Sequence, residues 1–240
     1  MEDLIAALHD KIAELLEQAQ DLDAALQNAP QSESTVEKVA DLLKRVCNAL
    51  SETLKMLNDP QSPLHVLARR LENTPLGALP QTLGKFLEEH RQFLEKIVRL
   101  PGPTVDKIID YLKDETEARY TDVDVFDSAG LIKTLESFRD LVCEISGYAH
   151  DLAFVWDPQL IKPIVKGVIG TCMAVGDVTG AIIAHQDPTG WVLVKAIKST
   201  VSGVRMVKKS INAIKERLPG WLSKVRQGRM QRNNPPPPRL

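Results

Sequence analysis

Residues 157–191 read DPQLIKPIVKGVIGTCMAVGDVTGAIIAHQDPTGW, and residues 192–218 continue VLVKAIKSTVSGVRMVKKSINAIKERL. The first run is the most apolar in the chain. The second is cationic and amphipathic. The turn His185-Gln186-Asp187-Pro188-Thr189-Gly190 joins them, which predicts two antiparallel helices side by side. A bilayer needs about 20 apolar residues, and Pro163–Ala184 supplies 22. Lys166 and Asp177 interrupt that run, and a charge near the centre of a span costs about 2.5–3.5 kcal/mol even on insertion scales. A helix packed inside a bundle is therefore expected, not a resting membrane span. At helical spacing Val165, Ile169, Cys172, Val175, Thr179 and Ile182 form its bulky face. Gly170, Met173, Asp177, Gly180 and Ala184 form a thinner one. Gly176, Gly180 and Ala184 make a row of small residues suited to close helix packing.

In the cationic helix Trp191, Val194, Ile197, Val201, Val204, Val207, Ile211, Ile214 and Leu218 recur every three or four residues, as one apolar stripe does. Lys195, Lys198, Arg205, Lys208, Lys209, Lys215 and Arg217 occupy the rest of the surface, and Lys224 and Arg226 follow. Beyond Asp187 the only acid is Glu216. Solvated helix faces normally mix signs. A face of one sign that begins at a tryptophan suits anionic lipid, with Trp191 and Trp221 as interfacial anchors. The same charges suit a protein partner or self-association. Nucleic acid is a third candidate, weakened by the lack of Phe and Tyr in this third of the chain, which leaves few stacking platforms.

The charge is unevenly divided. Residues 1–158 hold 16 Lys and Arg against 29 Asp and Glu, a net of −13, whereas residues 159–240 hold 14 against 3, a net of +11. With aromatics at 5% and Leu and Ala abundant, the composition favours helix over sheet. The expected fold class is all-α: a mostly antiparallel helical bundle of about seven to nine helices with a disordered Pro-rich C-terminal tail.

Four segments are expected. Residues 1–100 form an acidic helical subdomain, 101–157 the central helices, 158–228 the apolar hairpin with the basic helix, and 229–240 a disordered tail. The first helix spans Glu2–Asn28, with Ile5, Leu8, Ile12, Leu15, Ala19, Leu22 and Leu26 as its seam. Ser34-Thr35-Val36-Glu37 reads as a capping box opening the second. Its core face is Val36, Val39, Leu43, Val46 and Leu50, and Asn58-Asp59-Pro60 ends it. Ser62 and Pro63 read as N-cap and first residue of a short helix to Glu72. After a connector over Asn73–Pro80, further helices are expected over Gln81–Leu100 and Thr104–Ala118, separated by Pro101-Gly102-Pro103. Tyr120–Asp127 reads as a brief extended piece. The next helix uses Leu131, Leu135, Phe138, Val142 and Ile145 and is expected to run on to Trp156. Leu218-Pro219-Gly220-Trp221 should end the basic helix.

No nucleophile elbow, phosphate loop, dinucleotide fingerprint or zinc-protease motif occurs, so the expectation is a non-enzymatic protein without cofactor or metal. His9, His65, His90, His150 and His185 are scattered, and Asp122, Asp124 and Asp127 lack the glycine and distal glutamate of a calcium loop. Cys47, Cys143 and Cys172 show no metal spacing. They read as small buried hydrophobes in a reducing compartment. The N-terminus, MEDLIAALHDKIAELL, lacks signal-peptide features. The expected location is therefore cytoplasmic, peripheral to a membrane.

Overall fold

The computed structural model describes residues 2–28, 33–72, 88–89, 91–92, 95, 101–107, 109–110, 128–148, 157–184 and 190–233, with the side chains at 2, 33–35, 70–72, 128, 181, 184, 190–198 and 230–233 excepted. Among the described residues all regular structure is helical. Six helices have both ends described: α1 (Glu2–Asn28), α2 (Glu33–Asn58), α3 (Pro63–Glu72), α4 (Ser128–Gly147), α5 (Pro158–Ala184) and α6 (Gly190–Asn233). Residues 88–89, 91–92, 95, 102–107 and 109–110 are helical as well. The 73–80 connector, the 120–127 segment and its three aspartates, and most of the helices expected over 81–100 and 104–118 lie outside the described residues. So do any further helices of the expected seven to nine.

Apolar periodicity explains which faces turn inward. All seven seam residues of α1, from Ile5 to Leu26, are buried, as are Val39, Leu43, Val46 and Leu50 of α2 and Leu131, Leu135, Phe138, Val142 and Ile145 of α4. The first two helices run antiparallel. Lys11 bonds Glu52 at 3.1 Å, and Arg45 reaches back to Glu14 and Gln18, each at 2.6 Å. At the start of α3 the Ser62 hydroxyl accepts the Leu64 N–H at 3.2 Å and its carbonyl accepts that of Val66, the N-cap arrangement that precedes a proline at N1. His65 Nδ1 donates to the Leu57 carbonyl at 2.5 Å, covering an orphan acceptor at the end of α2.

Five boundaries differ from expectation. α2 begins at Glu33, so Ser34 lies inside the first turn instead of flanking it. The helix after residue 100 starts at Gly102, because the Pro101 carbonyl accepts the N–H groups of Thr104 and Val105. Arg91 spans that break to Asp106 at 2.5 Å while also bonding Glu95 at 3.3 Å, and these two carboxylates raise its pKa. α4 stops at Gly147, where the Tyr148 N–H turns back to the Ile145 carbonyl, instead of reaching Trp156. α6 passes through Pro219 and Gly220 without a break. Pro219 is exposed, while Leu218, Trp221 and Val225 on the opposite side are buried. An interior proline costs about 3 kcal/mol. Burial of Trp221 and Val225, at about 1.5–3 kcal/mol each, offsets it. α6 also continues to Asn233, so the first five residues assigned to the tail are helical. The PPPP segment lies outside the described residues.

α5 is the inner helix. It packs chiefly against α6 on one side and α1 on the other, while α2 packs on α4. One hydrophobic core unites side chains of all six helices. α5 and α6 are antiparallel, and their axes meet most closely at glycine. A Cβ on Gly170 would lie 2.6 Å from the Gly203 carbonyl oxygen, and one on Gly203 would collide with the Gly170 carbonyl and lie 2.8 Å from the Ala174 nitrogen. These obstacles are backbone, which cannot swing aside. The expected small-residue row is different. Gly176 and Gly180 face α1, but a Cβ there would meet Ile12 and His9 at an ordinary 3.4 Å, and the Ala184 side chain lies outside the described residues. The close approach thus belongs to Gly170 and Gly203, not to that row.

The cysteines also depart from expectation. Cys47 of α2 and Cys143 of α4 form a disulfide, so two of the three are not free hydrophobes. With a single free thiol remaining, the odd-count argument for a reducing compartment is removed. Cys172 stays free and buried in α5, and burial raises its thiol pKa to about 12.

Two sets of measurements check this packing. Gly203→Ala should lower stability by about 1–3 kcal/mol in urea unfolding. Gly220→Ala, where a Cβ meets nothing within 4 Å, should raise it by about 0.5–1 kcal/mol. Thiol titration should find no reactive cysteine in the native protein and one after unfolding without reductant. Reduction should cost up to about 4.7 kcal/mol, given the 96-residue separation. The Cys172 thiol ionises above its unfolded value of 9.0 when folded. The unfolded state therefore loses this proton first, and stability should fall as pH rises from 9 towards 12.

Candidate anionic-surface interface

The apolar stripe of α6 is buried from Val201 through Val204, Val207, Ile211, Ile214, Leu218 and Trp221 to Val225. Because that stripe faces inward, the polar surface of α6 faces water. Lys208, Lys209, Lys215, Arg217, Lys224 and Arg226 are exposed, and Arg205 is half-buried. Lys195 and Lys198 lie on the same helix, with side chains outside the described residues. Lys224 stands 3.9 Å from Asp157, at the outer limit of an ion pair. Among the described residues no carboxylate pairs with Lys208, Lys209, Lys215 or Arg226. Elsewhere some half-buried cations find acids, Lys11 with Glu52, Arg45 with Glu14 and Arg139 with Asp140, while the exposed Lys38, Lys44, Lys55 and Lys133 are scattered singly over α2 and α4.

The acidic helix α1 does not cover this face. α1 carries seven carboxylates and one lysine, and α6 eleven cations and one glutamate. Each packs on α5, and no substantial packing joins α1 to α6. An intramolecular pairing that covers the basic face with acids of residues 1–158 is therefore not what the described residues form. Among the described helices an acidic one and a basic one thus pack on α5 without substantial packing on each other.

Arg217 has a structural duty as well. Pro163 lacks an N–H, so the Gln159 carbonyl, four residues earlier, loses its helical partner. The Arg217 Nη1 donates to that carbonyl at 2.5 Å. A guanidinium carries five N–H donors, so one bond to α5 fixes its position while its charge stays at the surface.

Trp221 differs from expectation. Trp221 is 1% exposed and packs edge-on against Tyr148, with ring centroids 5.8 Å apart. Arg229 lies over the other ring of that pair, 5.4 Å from the Tyr148 centroid. Trp221 is a core residue, not an interfacial anchor. Sequence offered a signal for this: Leu218, Trp221 and Val225 continue the three-and-four spacing of the buried stripe. The Trp191 side chain lies outside the described residues. Among the described residues no helix is long and apolar enough to cross a membrane, and no three His, Cys, Asp or Glu side chains converge to hold a metal ion. Comparison with known proteins finds no matching family model, no matching curated protein and no matching solved structure.

The Pro163–Arg217 pairing predicts non-additivity. Arg217→Ala should cost roughly 1 kcal/mol in the natural background. With Pro163→Ala the restored N–H occupies the Gln159 carbonyl, and the cost of Arg217→Ala should shrink towards zero. A double-mutant cycle by urea unfolding measures the difference.

Proposed function

We propose that this chain is a non-enzymatic, peripheral membrane-binding protein that docks on anionic lipid through the exposed face of α6. The observation that carries the reading is the set of exposed cations Lys208, Lys209, Lys215 and Arg226, which have no acid partner among the described residues and stand on a helix with no substantial packing against the acidic α1. Such a face is attracted to an anionic surface before contact.

Magnitudes decide what kind of docking this is. Each basic residue near an anionic leaflet contributes about 1 kcal/mol, so Lys208, Lys209, Lys215, Arg217 and Arg226 together contribute about 5 kcal/mol. That corresponds to a dissociation constant in the range of ~0.1–1 mM. With Trp221 in the core there is little apolar insertion to add. The attachment is electrostatic, reversible and sensitive to salt. Insertion of residues 163–184 is a separate second step, and it requires α5 to leave its place between α1 and α6.

Vesicle co-sedimentation tests the proposal. Phosphatidylserine vesicles should bind the protein at low salt and release it near 1 M salt, where the screening length is about 3 Å. Reversing Lys208, Lys209, Lys215 and Arg226 to Glu should weaken binding at least ~100-fold. No binding to acidic vesicles at low salt, or unchanged binding by the reversed variant, sinks the reading. Tighter salt-sensitive binding to a DNA or RNA oligonucleotide than to vesicles transfers the face to nucleic acid.

A further inference from the structure

A groove of about 500 Å³ runs between the N-terminal half of α5 and the middle of α6. Lys162 and Lys166 stand one turn apart on its α5 wall, and Lys209 and Arg217 two turns apart on its α6 wall. Pro163, Met206 and Ala213 line it between the cations, beside the buried Ser210. Among the described residues no carboxylate lines the groove. Lys162 and Lys166 are the only cations of α5, and both are exposed although most of that helix is buried. Two walls from different helices thus bring four positive charges to one slot, and the bond to Gln159 holds Arg217 in place.

We propose that this groove binds a headgroup carrying two or more phosphomonoesters, presented by a membrane lipid of the polyphosphoinositide kind. The inference rests on the docking reading above and names the lipid that it favours. Charge matching carries it. A phosphomonoester holds about −1.5 to −2 charges near neutral pH, so two of them balance the four cations. A phosphodiester lipid brings one charge and leaves most of the slot unneutralised. Eight residues of helix measure about 12 Å, so the backbones of Lys209 and Arg217 set their charges at intervals along the slot. The apolar wall at Pro163, Met206 and Ala213 accommodates a ring or glycerol edge between the charges. The half-buried cations Lys11, Arg45 and Arg139 have carboxylates at hand. This slot has none, so an incoming anion displaces water and counterions only.

The test compares vesicles containing a bisphosphorylated inositol lipid with phosphatidylserine vesicles of equal surface charge. The natural protein should bind the former roughly tenfold more tightly or better, because two additional lysines are engaged. Lys162→Ala with Lys166→Ala, shown by circular dichroism to melt like the natural protein, should lose that preference and keep its phosphatidylserine binding. Soluble inositol hexakisphosphate should compete with the bisphosphorylated vesicles and fail to compete once both lysines are replaced. Equal binding to the two charge-matched vesicles, or a preference that survives the double replacement, overturns the groove assignment and leaves surface docking standing. Failure to bind either vesicle overturns the docking reading. If the soluble polyphosphate still binds in that case, the ligand's source is solution and the lipid assignment falls.

Discussion

The α5–α6 contact at Gly170 and Gly203 is the constraint on which the rest of the molecule depends. Two helices carrying Cβ atoms at both positions could not approach so closely, since the obstacles are the facing backbones. Close approach lets the apolar stripe of α6 pack inward against α5 near Gly203 and, further along, place Trp221 on Tyr148. With that stripe committed inward, every lysine and arginine that helical geometry places opposite it faces water. The charged surface is thus a by-product of the glycine contact. The same contact leaves α5 with little free surface except the strip bearing Gln159, Lys162 and Lys166.

Electrostatics follows from this layering. α5 contributes few charges and separates an acidic helix from a basic one. Had α1 packed directly on α6, carboxylates and ammonium groups would have neutralised one another across an interface. Instead α1 and α2 exchange charges, Glu14 of α1 with Arg45 and Lys11 of α1 with Glu52, while Asp3, Asp10, Glu17 and Asp21 stay exposed. Among the described residues Lys224 of the positive face meets an acid, Asp157 at 3.9 Å, and Lys208, Lys209, Lys215 and Arg226 pair with none.

Proline plays two opposite parts in the basic region. Pro163 leaves a carbonyl without a donor, and the neighbouring helix fills the gap with Arg217. Pro219 sits on the exposed side, where the carbonyl that it orphans meets water, so α6 runs on. Proline in a helical pattern reads from sequence as a stop because its intrinsic cost is large. Whether the helix stops depends on whether apolar residues on both sides gain more from burial than the proline takes away. Trp221 and Val225 decide that at Pro219, and their part in the stripe extends the helix by about four turns beyond the expected end.

The apolar spacing by itself determined the all-helical class, the limits of α1 and α3, the inward faces of α1, α2 and α4, the burial of the 158–184 helix and the sign of the C-terminal surface. These are properties of local periodicity and of charge counts, and both are carried by residues near one another in the chain. Only the tertiary structure decided which glycines bring helices together, that Cys47 and Cys143 are within bonding distance, that Trp221 belongs to the core, and that Lys162 and Lys166 share a groove with Lys209 and Arg217. Each of these joins residues separated by tens of positions in sequence. Such pairings depend on which faces of which helices are neighbours, and a periodic pattern specifies that a face is buried without specifying against what.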